Sequence, residues 1–201
     1  MTAKEMDKLT AHFDKYFEQS DCTVLHPLEQ TPHIDALLYE PTEKYPFWKL
    51  ASMGASDYRM DAPRKELGDR NEYIMMIDPD EDMKDRSVAR WYYNKLMGIA
   101  HYPKRNNCFF PYGHSLEWPV SGEEEMVGAF IEFPQVIEDT GILRCKLGLL
   151  KTVICLQVIL LNRAETDKLM EIGPQRFSEY LYPEDGSKPH FLCERKRSEK
   201  F

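Results

Sequence analysis

The sequence has no long apolar run and no pattern that holds a cofactor. Its longest apolar stretch, from Val153 to Leu161, is interrupted by Gln157 and is too short for a bilayer, which needs about 20 residues. Neither phosphate-binding pattern, GxxxxGK[ST] or GxGxxG, occurs. The first residues are charged and amphipathic, without the apolar core of a signal peptide. We therefore expect no membrane association, no cofactor and a cytoplasmic protein.

Cysteine is scarce, and positive charge is in deficit. Five cysteines, an odd number without a CxxC pair, indicate a reducing compartment rather than a disulfide framework. The 34 acidic and 26 basic side chains give a net charge of -8. Such an excess repels phosphate backbones. It predicts no nucleic-acid binding and favours a basic protein partner.

What is present is typical of a globular domain. The chain has 201 residues, of which 42% are hydrophobic and 12% aromatic, enough to bury a proper core. We predict a single domain over residues 1–201, with the core in about 22–182 and a polar, frayed tail within 190–201.

Hydrophobic spacing predicts helices and strands in a definite order. A capping box at Thr2 and Glu5 begins a helix that ends near Ser20. A second helix is capped by Ser87 and stopped by Pro103. Strands are predicted at 22–26, 34–39, 46–50, 72–77, 126–133, 142–147 and 152–161, and closing helices at 165–170 and 175–181. This order predicts an α+β fold with a mixed, largely antiparallel β-sheet flanked by helices.

Residues 45–78 are predicted to form the centre of the sheet, with one polar end. The strand at 72–77 is apolar along its length, which indicates that both of its faces are covered. The loop before it carries Asp57, Asp69 and Arg70, and Glu72 is the first residue of the strand. Arg70 is expected to pair with a carboxylate such as Asp57. The group either braces the loop or forms a binding surface.

Catalytic and metal-binding patterns are weak. Ser56 follows Gly54 but lacks the second glycine of a nucleophile elbow, so a turn is favoured. His33 and Asp35 share one side of a strand, which we interpret as a sheet-edge hydrogen bond rather than a metal or acid–base site. The remaining candidate donors, His101, Cys108 and His114, lack zinc spacing. We predict no catalytic residue and no metal.

Aromatic residues cluster after the second helix. They are Tyr102, Tyr112, His114 and Trp118. Exposed aromatic side chains of this kind are common in protein-binding surfaces. A core position for Trp118 is an equal alternative.

Four short motifs occur in a characteristic order. They are a Gly-x-Ser-Asp turn at 54–57, a Gly-x-Arg-x-Glu segment at 68–72, a Gly-His-Ser segment at 113–115 and a Leu-Gln step at 156–157. Over about residues 24–182 the chain resembles the suppressor-of-fused-like domain family. The resemblance implies a mixed α/β protein-interaction domain without established catalysis.

The resemblance has limits. Animal members bind a transcription-factor peptide, held partly by strand addition between two domains. This chain lacks the second domain and the disordered insert, and Gly113 stands where the animal members have an acidic residue. The resemblance therefore does not imply Hedgehog-type signalling. Short bacterial relatives, often encoded beside toxins, are thought to be immunity proteins.

We therefore predict a non-enzymatic protein-binding module, an immunity-type inhibitor of a partner such as a basic toxin domain. An acidic inhibitor would associate quickly with a basic partner. The expected binding residues are Asp57, Asp69, Arg70, Glu72, Tyr102 and His114. Alternatives are a regulatory or scaffold subunit that pairs through a strand edge, and a hydrolase using His114 or His33. The partner and the oligomeric state stay open.

Overall fold

The computed structural model describes residues 1–26, 33–119, 125–182 and 190–197. Within these ranges, eight strands form one sheet in the order β1-β2-β3-β4-β8-β6-β5, with β7 also paired to β8. The pair β4–β8 is parallel and the other pairs are antiparallel. The predicted mixed, largely antiparallel sheet is confirmed. The strands are β1 Thr23–Leu25, β2 Asp35–Tyr39, β3 Trp48–Met53, β4 Asn71–Ile77, β5 Ser115–Glu117, β6 Gly128–Glu132, β7 Arg144–Lys146 and β8 Thr152–Leu161.

Helices cover both faces of the sheet. The α-helices are α1 Ala3–Phe17, α2 Arg86–Asn106, α3 Arg163–Ile172 and α4 Pro174–Leu181. Along β4, Met75 and Ile77 belong to the core that α2 covers, whereas Ile74 and Met76 belong to the core that α1 and α4 cover. This alternation follows from the period of two along a strand. It explains why the predicted strand reads as a continuous apolar run.

The capping box of α1 is present as predicted. The Thr2 hydroxyl accepts a hydrogen bond from the Glu5 amide, and the Glu5 carboxylate accepts one of 2.9 Å from the Thr2 amide. The helix ends at Phe17, and Glu18 follows in the left-handed conformation with φ 53°. The side chains of Leu9, Phe13 and Phe17 are fully buried, so the core extends beyond the predicted limits of 22–182.

Both predicted boundaries of α2 are wrong. The N-cap is Asp85, whose carboxylate accepts hydrogen bonds from the amides of Ser87 and Val88. Pro103 does not end the helix, which continues to Asn106. A proline inside a helix lacks its N–H donor and crowds the carbonyl four residues before it, yet the helix continues here. Its last turn is closed by the left-handed Asn107, whose amide donates to the carbonyls of Pro103 and Lys104.

The prediction of a frayed tail is wrong for residues 190–197, whereas 198–201 lie outside the described residues. Cys193 forms a parallel bridge with Ile77, and its amide donates to the Met76 carbonyl at 2.7 Å. Arg197 is buried, and its guanidinium pairs with the buried Glu165 carboxylate. Of the charged residues in this tail, Arg197 is therefore buried, whereas Lys196 is exposed.

Among the described residues, none of the helices combines the length and the apolar character that crossing a membrane requires.

Candidate functional site

The candidate site lies at one end of the sheet, which we call the rim and define as residues 54–59, 68–71, 108–114 and 147–151. Strand directions bring these segments together, because β3 ends there while β4 and β8 begin there. One contact ties the rim to the residue that caps the end of α2, and a second joins two segments of the rim. Tyr58 Oη donates to Asn107 Oδ1 at 3.0 Å, and Asn71 Nδ2 donates to the Phe110 carbonyl at 3.0 Å.

Glu72 lies beneath the rim and is not part of its surface. Its side chain is 0% exposed. Its Oε1 accepts hydrogen bonds from the amides of Gly54 (2.9 Å) and Ser56 (3.0 Å), while Oε2 accepts from Ser52 Oγ (2.5 Å) and the Ala55 amide (3.2 Å). Burial raises the pKa of Glu72, although these hydrogen bonds act in the opposite direction. The expectation that Glu72 contacts a partner is wrong, because its carboxylate is used to hold the turn after β3.

Two glycines at the rim have physical reasons to be glycine. Gly54 adopts φ 125°, and a Cβ there would lie 2.9 Å from the His33 carbonyl oxygen. Gly68 adopts φ 75°, and a Cβ there would lie 2.4 Å from Ile154 Cγ1. Residues that carry a Cβ atom rarely adopt these backbone angles. Both motif glycines therefore fix the geometry of the loop.

Arg70 and Asp57 are neighbours, but not through the predicted carboxylate pair. Arg70 Nη1 donates to the backbone carbonyls of Ser56 (2.7 Å) and Asp57 (3.1 Å). The Asp57 carboxylate instead accepts from Lys151 Nζ at 3.0 Å and from the amino terminus of Met1. Desolvation would raise the pKa of Asp57, but the hydrogen bonds from the amino terminus and Lys151 outweigh it and lower that pKa. Arg70 thus braces the turn, while Asp57 joins three separate segments.

Asp69 lies on the wall of an open depression. Its carboxylate oxygen Oδ2 is 2.5 Å from Arg59 Nε. The depression has a volume of about 630 Å³ and is lined by Arg59, Met60, Asp61, Ala62 and Asp69. An exposed ion pair of this kind contributes little to stability, so these two side chains are able to exchange partners.

Tyr102 and His114 meet through a third ring. The ring centroid of Phe110 lies 5.0 Å from that of Tyr102 and 6.0 Å from that of His114. Beside them, Tyr112 stacks on Phe133 at 4.0 Å, and both of these rings are partly exposed. Of the four residues predicted to cluster, Tyr102 and His114 are therefore joined through the buried ring of Phe110, whereas Tyr112 pairs with Phe133 instead.

Trp118 packs against the core, which is one of the two alternatives that the sequence allowed for it. Its indole Nε1 donates to the Met126 carbonyl at 2.9 Å, and its half-buried ring packs against the core on the α2 side. Lys95 Nζ lies 4.4 Å from the ring centroid.

Two residues at the turn between β7 and β8, Leu149 and Leu150, were not predicted from the sequence to belong to the site. Their exposed fractions are 97% and 98%. They directly precede Lys151, the partner of Asp57. The available signal was two leucines after Gly148, at a position where a turn usually carries polar residues. Contiguous exposed apolar side chains are a common feature of interaction surfaces.

The metal-donor group among the described residues is His26, His33 and Asp35, whose ligand atoms all lie within 4.8 Å of one another. The predicted pair of His33 and Asp35 is thus present. His26 was not predicted as a third member, because it ends a different strand segment and only the pairing of β1 with β2 brings it close. His101, Cys108 and His114 are not part of this group.

The contacts of His114 do not resemble those of a catalytic base. The side chain is exposed, and its Nδ1 lies 3.5 Å from the Tyr112 carbonyl. A carbonyl at this distance is a weak partner and does not orient an imidazole as a carboxylate would. The open depression beside Asp69 does not include His114 among its lining residues.

The fold and the rim define an α+β domain whose candidate site is an open surface rather than an enclosed pocket. Residues 30–191 match the model of the family described as suppressor of fused protein (SUFU). The chain belongs to this family. A comparison with curated proteins finds no match.

Solved structures show the same fold at low sequence identity. A chain of the Sufu-Fu complex has a TM-score of 0.68 at 14% identity, with 96% of this chain and 91% of that chain covered. A SUFU homolog from Neisseria gonorrhoeae has a TM-score of 0.68 at 13% identity, with 98% and 97% covered. Drosophila Suppressor of Fused has a TM-score of 0.65 at 15% identity, with 97% of this chain covered but only 51% of that chain. This chain therefore spans about half the length of the Drosophila protein.

Proposed function

We propose that this chain is a non-enzymatic protein-binding module that inhibits one partner protein by stoichiometric binding, as an immunity protein inhibits a toxin. The observation that carries the proposal is the pair of almost fully exposed leucines, Leu149 and Leu150, at a rim that is otherwise polar and aromatic. Family membership supports it, because one solved relative is a Sufu-Fu complex.

The proposed binding surface combines apolar anchors with a polar border, as protein interfaces generally do. The anchors are Leu149, Leu150 and the rings of Tyr102, Tyr112 and Phe133. The polar border is formed by Asp57, Asp69, Arg70 and His114. Glu72 is excluded because it is buried.

The partner is proposed to be basic, such as a toxin domain that acts on nucleic acid. The chain carries a net charge of -8, which attracts a basic protein over a distance and raises its association rate. Asp57 and Asp69 are already paired within the chain. The long-range attraction is therefore assigned to the overall charge rather than to these two residues.

A cytoplasmic, bacterial immunity protein is supported by two further observations. All five cysteines are free thiols, as expected in a reducing compartment. The Neisseria gonorrhoeae homolog has nearly the same extent as this chain, since 97% of it is covered.

The alternative of a regulatory subunit that pairs through a strand edge is less favoured. The two outer strands of the sheet, β1 and β5, contain only three residues each. Short outer strands are a common protection against pairing with another chain.

The test is affinity capture of the tagged protein from its native host, with quantification of bound proteins. We expect one stoichiometric, basic partner. The double variant Leu149→Ser/Leu150→Ser should weaken its binding at least tenfold, because it removes the apolar anchors. The matched control is Met170→Ser, since Met170 is 73% exposed but lies on α3, after the opposite end of β8. Equal binding by the double variant and the wild type would exclude the leucines from the interface. Turnover of the captured protein, rather than stable binding, would contradict the non-enzymatic assignment.

A further inference from the structure

A buried carboxylate lies between two exposed histidines at the outer side of the sheet. Asp35 is the first residue of β2, and its pairing with Met53 of β3 fixes its position. His26 directly follows β1, and His33 precedes β2 by two positions. Because β1 and β2 are antiparallel, with Leu25 opposite Ala36, both imidazoles are brought to the same end of the sheet as Asp35.

The three side chains converge on one point. His26 Nδ1 and His33 Nε2 each lie 2.8 Å from Asp35 Oδ1. The imidazole ring centroids are 6.2 Å apart, with an angle of 34° between the ring planes. Tetrahedral zinc with ligand distances of about 2.0–2.1 Å requires donor atoms about 3.3 Å apart. The histidine side chains are 63% and 59% exposed, so small rotations at the surface suffice to open this spacing.

The charge of the cluster also favours a cation. Asp35 is only 2% exposed, and a buried carboxylate is unfavourable without compensating charge or hydrogen bonds. A divalent ion between the three side chains would supply such a compensating charge, with one nitrogen of each imidazole as a ligand.

We propose that His26, His33 and Asp35 form a binding site for a divalent transition-metal ion, with zinc as the best fit. Two imidazoles and one carboxylate are suitable donors for zinc, whereas magnesium and calcium prefer oxygen ligands alone. Three protein ligands leave a fourth position, which faces solvent because both histidines are exposed. The ion would join residues 26 and 33 to the start of β2. This proposal does not depend on the proposed inhibitory function.

The test uses tag-free, chelator-treated protein titrated with zinc chloride by calorimetry. We expect binding of one ion per chain and a melting temperature that rises until one equivalent has been added. Cobalt chloride should give the visible absorption bands of a tetrahedral site. Magnesium chloride should give no change.

The separate variants His26→Ala and His33→Ala should each weaken zinc binding by more than about 100-fold, since even changes outside the ligand shell cost about 10- to 100-fold. His114→Ala is the matched control, because it removes an exposed histidine outside the cluster, and it should bind as the wild type does. Circular dichroism without metal verifies that each variant is folded, and Asp35→Asn gives a third variant of nearly equal volume. Zinc binding that is absent in the wild type, or unchanged in both histidine variants, overturns the proposal and leaves the cluster as hydrogen bonds alone.

Discussion

Replacement of Glu72 by alanine is expected to be severely destabilising, although the sequence places this residue among surface charges. The carboxylate accepts four hydrogen bonds, three of them from the consecutive amides of Gly54, Ala55 and Ser56. Each buried donor left without an acceptor costs about 1–3 kcal/mol. Water entering the space would offset part of this, so we expect a loss of about 3–5 kcal/mol in the free energy of unfolding. Since small domains have about 5–15 kcal/mol in total, the variant should lie close to its unfolding threshold.

Glu72→Gln separates shape from charge. The amide keeps one carbonyl oxygen, but its NH2 group opposes backbone donors, so a smaller loss of about 1–3 kcal/mol is expected. Urea denaturation followed by circular dichroism measures both variants. The matched control is Glu66→Ala, because Glu66 is exposed and its removal should change stability by less than about 0.5 kcal/mol. A loss below about 1 kcal/mol for Glu72→Ala would refute the assignment of Glu72 as the residue that holds the turn.

The raised pKa of Glu72 should make the stability of the protein depend on pH. Burial raises the pKa of Glu72 above its ordinary value of 4.5, so just above that pH the folded state keeps a proton that the unfolded state has lost. The stabilisation is complete below about pH 4.5 and is lost as the pH rises through the folded-state pKa. The stability of the wild type relative to Glu72→Gln should therefore fall across this window. If the stability of the wild type relative to Glu72→Gln rises with pH, the pKa of Glu72 is not raised by burial.

Three further changes test the packing. Burial lowers the pKa of Lys49 from 10.5 to about 8, so the wild type should gain up to about 3 kcal/mol relative to Lys49→Met as the pH rises between these values; a flat difference in urea denaturation would contradict this. Arg197→Ala should lower the free energy of unfolding by about 3–5 kcal/mol, because it leaves the buried Glu165 carboxylate without its ion-pair partner. A loss below about 1 kcal/mol would instead support the prediction that the tail is frayed. Gly68→Ala should destabilise by about 2–4 kcal/mol through its positive φ and its close contact, whereas Gly98→Ala, in open space within α2, should stabilise by up to about 1 kcal/mol; equal effects in thermal unfolding would refute the argument.

Features that depend on residues close in the chain could be predicted from the sequence. The capping box of Thr2 and Glu5 spans three residues, and its hydrogen bonds are those expected. The apolar run at 72–77 became a strand buried on both faces, since its pattern leaves no polar side for solvent. The hairpin around Gly148 is also present, as β7 pairs with β8.

The candidate site was predicted only in part. The turns after Gly54, around Gly68 and around Gly148 were located correctly, because glycine and charged residues mark turns. The roles of the individual side chains were not predicted, because the sequence pattern of an acidic residue beside a loop is the same whether its carboxylate faces solvent or buried amides. Glu72 was therefore assigned to the surface, and Leu149 and Leu150 were overlooked.

The sequence by itself determined most of the helices and strands, their order and the acidic charge of this protein, because spacing and composition act locally. Only the tertiary structure decided which charges are buried and which are exposed. Asp57 and Lys151 are 94 residues apart in the chain, and Arg195 and Glu81 are 114 apart. Such pairs form because the sheet brings segments that are distant in the chain to one end. Glu72 and Arg197 are buried for the same reason, and a buried charge is unfavourable unless it is paired or hydrogen-bonded.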